Sequence, residues 1–352
     1  MIGRTLYFVI PGDIETRTGG YGYDRQIIVG LRQRGWHVHL VSVAGGYPFP
    51  AADERADASR VLAKIPDRST VVVDGLAFGA LPAEMTRERE RLRLVALVHH
   101  PLGLETGISH SESQRLLASE KVALTAAVGV VVTSHRTVSA VGALGVPPDR
   151  IAVVEPGTES ALPAAGTGQG PLHMLCVASL VPRKGHDTLL DALVQLLDLD
   201  WQLTCVGSIE RDAEYAATLV ARCTMPPLGN RVALAGELAG AALDAAYDQA
   251  DLFVLPTHYE GYGMVVAEAI ARAIPVVSTR TGAIAELVGD AAGVLVPPAD
   301  AGALATVLRA IITDRELLKR LRHGAELRRS SLPTWHAAAI VMEQALVRFA
   351  PA

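Results

Sequence analysis

The chain has 352 residues, of which 50% are hydrophobic and 20% are charged, and its formal net charge is -5. This length suggests two domains, and the composition is that of a globular protein with enough apolar residues for two cores. The acidic balance argues against a nucleic-acid-binding protein, which usually carries a basic face.

The N-terminal apolar run stops at Pro11-Gly12, too early for a secretory signal, and no apolar stretch reaches the length of a membrane span. Three widely spaced cysteines, in largely apolar surroundings, indicate buried free thiols in a reducing compartment. We therefore expect a cytoplasmic protein, and we leave open a peripheral contact with the inner face of the membrane.

Short apolar runs alternate with amphipathic ones through the first part of the chain. Strands are predicted at residues 5–10, 37–43, 70–75, 92–100, 128–134 and 151–157, and helices at 23–35, 111–126 and 136–144. Apolar strands that alternate with helices favour a parallel sheet covered on both faces. The segment 160–170, SALPAAGTGQG, contains almost no large apolar residue, and we interpret it as a linker.

The same alternation starts again after the linker. Strands are predicted at 172–179, 201–207, 231–236, 251–256, 274–279 and 293–297, and helices at 187–197, 212–223, 240–249, 263–272, 283–288, 301–312, 314–329 and 334–349. The sequence thus predicts two α/β domains of similar size. Open parallel sheets bind ligands at the carboxyl ends of their strands, so we expect the two domains to face each other across a cleft.

Two loops of the first domain are candidates for ligand binding. The loop TRTGGYGY, 16–23, places Gly19 and Gly20 in a strand-to-helix turn where the backbone can approach an anion, although a flexible turn explains it equally well. His99 and His100 end an apolar strand, a position from which histidine can bind a substrate or transfer a proton. A structural pair that caps the strand is the alternative.

Two cations precede a helix of the second domain. Arg183 and Lys184 stand just before a segment with Asp187 or Thr188 as the expected N-cap. Cations there oppose the helix dipole unless an anion is bound, and arginine and lysine together suit a phosphate group. The alternative is an exposed turn whose charges have no partner.

The segment HYEGYGMVVAEAIARAIPVV, 258–277, contains two acids, Glu260 and Glu268, in apolar surroundings. Carboxylates in such a segment require partners, and substrate hydroxyls would satisfy them. The candidate ligand-binding positions around them are Gly261, Gly263, Met264 and Val265, the last three with backbone amides that are free at a helix start. The alternative for Glu268 is a solvent-facing helix residue.

Cations and free amides together bind a diphosphate, and carboxylates accept hydrogen bonds from hydroxyls. A diphosphate beside hydroxyls describes a nucleotide sugar. No DxD acid pair follows a strand of the second domain, so we expect Arg183 and Lys184 to neutralise the charge that Mg²⁺ would otherwise neutralise. We predict no metal site and no cofactor.

The motif EGYGMVVAE resembles the E-x7-E motif of retaining GT-B glycosyltransferases, in particular family 4. The segments VASLVPRKGHDTLLDAL and ADLFVLPTHYEGYGMVVAEAIARAIPVVSTRTGAIAELVGDAAGVLVPPAD are similar to that family almost throughout. The turn Glu155-Pro156-Gly157 departs from the proline-asparagine-glycine turn that the family usually has. The resemblance covers nearly the whole chain, is strong in the second half and is looser in the first.

The resemblance implies a GT-B fold with two Rossmann-like domains. Residues 1–160 and 334–352 would form the acceptor-binding domain, 161–170 the linker, and 171–333 the domain that binds the nucleotide-sugar donor. It also implies that Arg183 and Lys184 hold the donor diphosphate. Glu260 would contact the donor sugar and Glu268 the ribose.

Further roles also follow from the resemblance alone. His99, with His100 as its competitor, would lie near the donor sugar, and Gly19 and Gly20 near the phosphate and the acceptor. The resemblance implies a metal-independent, retaining, hexosyltransferase-type enzyme that uses a nucleotide-diphosphate sugar, most commonly of UDP. The acceptor would be a glycan, a lipid-linked molecule or a small molecule.

Other functions remain open at this point. A GT-B-fold nucleotide-sugar epimerase or a phosphorylase would share the binding residues, and a two-lobed sugar-binding protein would leave Arg183 and Lys184 unexplained. A nicotinamide dehydrogenase would require a GxGxxG fingerprint, which the chain lacks. The sequence does not specify the sugar, the linkage, the acceptor or the oligomeric state.

Overall fold

The computed structural model describes residues 4–105, 107–168 and 170–351. The segment 95–107, which contains His99, His100 and the loop that follows them, and the predicted linker 161–170 each include one residue outside these ranges. The chain divides into two compact units: unit 1 is Met1–Gly157 with Pro333–Ala352, and unit 2 is Thr158–Leu332.

Unit 1 is built on a six-stranded sheet in which all recorded pairs are parallel, in the order β2-β1-β3-β4-β5-β6. Its strands are β1 (Thr5–Pro11), β2 (His37–Val43), β3 (Thr70–Asp74), β4 (Arg93–Val98), β5 (Gly129–Val132) and β6 (Ile151–Val153). The valine- and leucine-rich centres of β3, β4 and β5 are fully buried, as expected for parallel strands covered on both faces.

The helices of unit 1 follow the strands, with one addition at the end of the chain. They are α1 (Gly19–Gln33), α2 (Ala52–Ala63), α3 (Gly75–Ala80), α4 (Pro82–Glu88), α5 (His110–Leu124), α6 (His135–Ala143) and, from the C-terminus, α14 (Trp335–Phe349). Helix α14 packs on α1, and Gly157 explains how its start fits: a Cβ on Gly157 would lie 2.1 Å from the backbone nitrogen of Trp335.

Unit 2 repeats the architecture with a second six-stranded parallel sheet, in the order β12-β11-β10-β7-β8-β9. Its strands are β7 (Leu172–Val177), β8 (Trp201–Val206), β9 (Val232–Leu234), β10 (Leu252–Leu255), β11 (Val276–Thr279) and β12 (Gly293–Val296). Its helices are α7 (His186–Val194), α8 (Ala213–Thr224), α9 (Ala241–Asp248), α10 (Met264–Ala271), α11 (Ile284–Val288), α12 (Ala301–Thr313) and α13 (Arg315–Arg329). The α/β class and the parallel pairing predicted from the sequence are confirmed.

Within unit 2, the Pro/Gly-rich segment 158–168 and the following residues 170–171 lie against helix α13. Three arginines spaced seven residues apart on α13 donate to its carbonyl oxygens: Arg315 to Gly170 at 2.9 Å, Arg322 to Ala164, and Arg329 to Ala161. Residues seven apart lie on one face of a helix, so α13 presents a row of guanidinium groups to this segment. These three carbonyl oxygens of the segment are thus hydrogen-bonded, although the segment has little apolar side-chain area.

The cysteines Cys176, Cys205 and Cys223 are buried free thiols, as predicted. Within the described part of the chain, we find no helix that is both long and apolar enough to cross a membrane.

Candidate active site

The first cluster of candidate residues lies where the sheet of unit 2 changes its direction of growth. From β7 the chain adds β8 and β9 on one side, then returns to place β10 on the other side of β7. Such a switch point leaves a space at the carboxyl ends of the two strands, where ligands of α/β proteins bind. Arg183 and Lys184 follow β7, and Glu260 follows β10.

Hydrogen bonds to backbone carbonyl oxygens hold these two loops together. The amide of His258 donates to the carbonyl oxygen of Arg183 at 2.8 Å, and Nη1 of Arg183 donates to the carbonyl oxygen of Tyr259 at 2.8 Å. Gly185 allows the close approach, since a Cβ there would lie 2.1 Å from the carbonyl oxygen of Pro256. The loop after β7 is therefore fixed against the loop after β10.

The N-cap predicted for the following helix is wrong. Helix α7 begins at His186 and its N-cap is Gly185, which has the left-handed conformation (φ 70°). Arg183 and Lys184 lie before it in a short 3-10 turn, Pro182–Lys184. Asp187 and Thr188 are thus inside the first turn of α7. They are not the N-cap because the turn ends at the glycine.

Both cations reach the carboxylate of Glu260. Nζ of Lys184 lies 2.6 Å from Oε2 of Glu260, and Nη1 of Arg183 lies 3.7 Å from the same atom. The side chains of Lys184 and Glu260 are each only 14% exposed. A largely buried, short ion pair is screened little by salt, so these charges are held at defined positions.

The helix predicted after Glu260 is present and starts as expected. Helix α10 begins at Met264, and Gly263 is its N-cap with φ 97°, a value that a side chain would strain. Gly261, Met264 and Val265 are all partly exposed. No hydrogen-bond acceptor is recorded for the amides of Gly263, Met264 or Val265 within the described ranges, so these amides are available to an anion.

A third loop, which follows β11, packs against the backbone of Glu260. Gly282 has φ 51°, and a Cβ on it would lie 1.5 Å from the carbonyl oxygen of Glu260. Only glycine fits at this distance. The loop that carries Glu260 is therefore fixed on one side by the Arg183 loop and on the other by Gly282.

Glu268 is half-buried on α10 and has a protein partner that sequence reasoning did not find. The hydroxyl of Tyr247, from α9, donates to Oε2 of Glu268 at 2.9 Å. Burial raises the pKa of Glu268, and the hydrogen bond from Tyr247 and the nearby Arg272 act in the opposite direction. In the described residues, no hydrogen bond to Oε1 of Glu268 is recorded, which leaves that oxygen for a ligand hydroxyl.

The second cluster lies in unit 1, whose sheet has its own switch point between β1 and β3. The Gly-rich turn predicted at 16–23 is partly wrong, because α1 begins at Gly19. The cause is Thr18, whose side chain accepts from the amide of Tyr21 at 3.0 Å and caps the helix early. Gly20 faces His99, since a Cβ on Gly20 would lie 3.4 Å from the ring.

The two histidines of the doublet have different surroundings. Nε2 of His99 lies 3.3 Å from Oδ1 of Asp24 and 3.4 Å from Oδ2 of Asp74. His100 instead pairs with Glu105, Nε2 to Oε2 at 3.1 Å. Asp24 comes from α1 and Asp74 ends β3, and both are buried.

The acids around His99 shift its titration. Burial by itself lowers the pKa of His99, but the contacts with Asp24 and Asp74 outweigh it and raise the pKa to about 10. Burial also raises the pKa of Asp24 to about 6, against the opposing effect of His99. One ligand atom from each of the three side chains lies within 4.8 Å of the others, close enough to hold a metal ion.

The sequence analysis did not identify the side chains that contact a candidate residue, which are Asp24 and Asp74 beside His99 and Tyr247 beside Glu268. Asp24 and Asp74 carry no motif, and Tyr247 lies on a different helix from its partner. His258, next to the Arg183 loop, has a buried Nε2 with no hydrogen-bond partner in the described residues. A glycine three residues after β11, Gly282, was the one available signal of a close backbone approach.

Comparison with known proteins shows that unit 2 is similar to glycosyltransferases. Residues 161–328 match the family of glycosyl transferases group 1. The chain is 26% identical over 336 residues to the MMP alpha-(1->4)-mannosyltransferase of Mycolicibacterium hassiacum, an alignment that covers 88% of this chain and 79% of that protein. It is 32% identical over 200 residues to the D-inositol 3-phosphate glycosyltransferase of Corynebacterium efficiens, with 51% of this chain and 46% of that protein covered.

Several solved structures are similar to this chain over most of its length. Sucrose-phosphate synthase from Thermosynechococcus elongatus superimposes with a TM-score of 0.80 at 22% identity, over 96% of this chain and 97% of its own. Anabaena HepE, solved in complex with UDP and glucose, gives a TM-score of 0.76 at 19% identity, over 98% and 99% of the two chains. The chain therefore has the GT-B fold, and residues 161–328 of its second unit are similar to glycosyl transferases group 1.

Proposed function

We propose that the protein is a retaining glycosyltransferase that transfers a sugar from a nucleotide-diphosphate donor to an acceptor hydroxyl. UDP is the nucleotide to test first, since a relative of the same fold was solved with UDP and glucose. We further propose that the reaction needs no metal ion, because Arg183 and Lys184 supply positive charge where the diphosphate would lie.

One observation carries this proposal. Lys184, Arg183 and Glu260 form a largely buried cluster at the switch point of a parallel sheet, beside the free amides of α10. Cations and helix amides suit a diphosphate, while Glu260 and the open oxygen of Glu268 suit sugar hydroxyls. A nucleotide sugar is the ligand that combines these groups on one molecule.

The same groups would stabilise the reaction. As the glycosidic bond to the donor breaks, negative charge develops on the departing diphosphate oxygen. Nζ of Lys184, the guanidinium of Arg183 and the α10 amides are fixed before the reaction, so they stabilise that charge without reorganising. Because no carboxylate of the cluster is obviously placed as a covalent nucleophile, we propose a front-face mechanism in which the departing phosphate accepts the acceptor proton. Trapping of a covalent glycosyl-enzyme would contradict it.

The relatives differ in their sugars and acceptors. The names of two of them specify a mannosyltransferase and an inositol-phosphate glycosyltransferase. The acceptor domain, unit 1, is the part with the looser resemblance, so we assign no acceptor. His99 near the donor sugar stays a prediction.

The experiment compares two lysine variants. Binding of UDP and hydrolysis of UDP-, GDP- and TDP-sugars are measured with EDTA present, for the wild type, Lys184→Met and Lys319→Met. Lys319 is an exposed lysine paired with Glu316, so its variant removes one charge away from the cluster. We expect nucleotide binding by the wild type and by Lys319→Met, and at least tenfold weaker binding by Lys184→Met, since a hydrogen bond to a charged group contributes about 1.5–3 kcal/mol.

Two results would contradict the proposal. The first is a wild-type protein that binds no nucleoside diphosphate. The second is a Lys184→Met variant that binds as the wild type does. Analysis of the released or transferred sugar by NMR, which reports the anomeric configuration, separates a retaining transferase from an epimerase.

A further inference from the structure

Three separate elements bring their side chains to one nitrogen atom. Asp24 lies in α1, Asp74 ends β3 and His99 follows β4. Nε2 of His99 is 3.3 Å from a carboxylate oxygen of Asp24 and 3.4 Å from one of Asp74. Neither contact has hydrogen-bond geometry within the described residues, so Nε2 interacts with both carboxylates electrostatically.

The ring of His99 stabilises the negative charges of the two buried acids. Asp24 is 0% exposed, and neither of its oxygens accepts a hydrogen bond in the described part of the chain. Asp74 is also buried, and its Oδ1 caps α3 by accepting from the amide of Leu76 at 2.9 Å. A buried carboxylate without hydrogen bonds is costly unless a cation lies beside it, and the ring of His99 lies closest.

The other groups around the ring do not compete for its proton. The ring of Tyr23 meets that of His99 edge to face, with centroids 5.3 Å apart, and burial raises the pKa of Tyr23 well above its usual value. Arg25 follows Asp24 on α1 and donates to the carbonyl oxygen of Ile14. Tyr23 is thus neutral, and Arg25 adds only a weaker opposing charge near Asp24.

The second nitrogen of the ring has a different position. Nε2 is buried between the acids, whereas no hydrogen bond to Nδ1 is recorded within residues 4–105, 107–168 and 170–351. The side chain as a whole is 22% exposed. Nδ1 is therefore the atom that a ligand at this edge of the sheet can reach.

We propose that Asp24 and Asp74 are positioning residues that hold His99 as an imidazolium, so that its Nδ1 serves a substrate only as a hydrogen-bond donor. His99 then cannot act as the general base of the reaction, since a base must be unprotonated at the working pH. The proposal deepens the proposed function and depends on it for the identity of the substrate. It does not depend on it for the charge of the ring.

The electrostatics of the cluster agree with this arrangement. The two acids raise the pKa of His99 to about 10, while the pKa of Asp24 is about 6. Between these values Asp24 is ionised and His99 is protonated. The cluster thus keeps the ring charged across the neutral range, where a free histidine would lose its proton.

The first arm of the experiment needs no substrate. Protein with ¹⁵N-labelled histidine rings is titrated by NMR from pH 5 to pH 10.5, and the signal of His99 is assigned by its loss in His99→Gln. We expect the wild-type ring to stay protonated above pH 9. Asp24→Asn and Asp74→Asn should each lower its pKa by about 1 to 3, the usual effect of an adjacent opposite charge. Glu105→Gln, which changes the partner of His100, should leave it unchanged.

The second arm measures kcat/KM from pH 6 to pH 9 with the best donor. The wild type should show no loss from His99 in this range. Asp24→Asn should lie within about threefold of the wild type at pH 6 and fall about tenfold by pH 9, as the ring loses its proton with the lowered pKa. A merely structural role would lower activity equally at every pH.

Several outcomes would overturn the proposal. A wild-type His99 that titrates near pH 6.5 is one, and a pH profile of Asp24→Asn parallel to that of the wild type is another. A third is a shift of the His99 signal by equimolar Zn²⁺ that EDTA reverses, because the acids would then be metal ligands. If the protein transfers no sugar, the NMR arm still decides the charge of the ring.

Discussion

Replacement of Gly282 by alanine tests whether the position of Glu260 matters for activity. A Cβ at Gly282 would lie 1.5 Å from the carbonyl oxygen of Glu260, whereas real Cβ contacts are essentially never below 3.0 Å. The two backbones must therefore separate by roughly 1.5 Å, close to the difference between these distances. The left-handed backbone of Gly282 adds about 1–2 kcal/mol of strain for any side chain.

The displacement acts directly on the Lys184 cluster, because Glu260 carries the carboxylate that Lys184 contacts at 2.6 Å. A shift of about 1 Å in a catalytic arrangement can reduce the rate about 100-fold. We expect Gly282→Ala to lower kcat/KM for the best nucleotide sugar by about 100-fold or more. Its melting temperature should fall by several degrees, which is the shift that about 1–2 kcal/mol of strain produces in a domain of this size.

The matched control is Gly236→Ala. Gly236 also has a left-handed φ, 68°, but a Cβ there would meet nothing within 4 Å. Gly236→Ala should lose only the stability that the left-handed strain costs, about 1–2 kcal/mol, and keep its activity. Full activity of Gly282→Ala, in a protein as well folded as Gly236→Ala, would refute the view that this loop must be held in place.

Three further changes have defined outcomes. Glu268→Gln should weaken donor binding about tenfold or more in calorimetric titration, since a charge-assisted hydrogen bond to a hydroxyl contributes about 1.5–3 kcal/mol. Arg322→Met should lower the free energy of unfolding of unit 2 by about 1–3 kcal/mol, because it leaves the buried carbonyl oxygen of Ala164 without its donor. Burial raises the pKa of Glu120 from 4.5 to about 7. The folded state therefore binds the proton more tightly, and the wild type should lose up to about 3 kcal/mol of stability as the pH rises from about 4.5 to 7. In Glu120→Gln, the free energy of unfolding, measured with urea at pH 5 and pH 8, should no longer show this loss.

Each of these outcomes has its own contradiction. Donor binding by Glu268→Gln equal to that of the wild type would mean that no ligand hydroxyl uses this carboxylate. Arg320→Met is the control for Arg322→Met, since Arg320 is exposed on the same helix and makes no hydrogen bond to another described residue. Equal stability of the two variants would contradict the role of the arginine row. A pH dependence that is unchanged in Glu120→Gln would show that this carboxyl keeps its usual pKa.

The sequence was sufficient for the elements that bury apolar surface. All twelve strands were predicted close to their observed positions, because a fully buried parallel strand is a short apolar run between turn residues. The helices α2, α3 and α4 were not named. Helix α2 carries only a weak apolar face, and α3 and α4 are short, so their apolar periodicity is slight.

Some residues of the candidate site could be predicted from the order of the elements, and others could not. Arg183, Lys184 and Glu260 were selected because each follows a strand, and that rule needs only the order of the elements. The partners Tyr247 and Asp24 were not found. Tyr247 looks like a core aromatic, and Asp24 looks like an acid in the first turn of a helix predicted to begin at residue 23. Their roles depend on which helix packs beside which, and motifs and apolar periodicity do not specify that packing.

The charges of the unit 2 cluster explain why the cations alone do not complete the site. Arg183 and Lys184 carry two positive charges, and Glu260 removes one of them by its short contact with Lys184. The remaining charge does not balance a doubly ionised diphosphate. If a diphosphate binds here as proposed, the amides of α10 would add to that charge, since a helix N-terminus carries about half a positive charge. The left-handed Gly263 that starts α10 would then contribute to binding together with the cations. The two carboxylates have separate partners: Glu260 contacts Lys184, and Glu268 accepts from the hydroxyl of Tyr247.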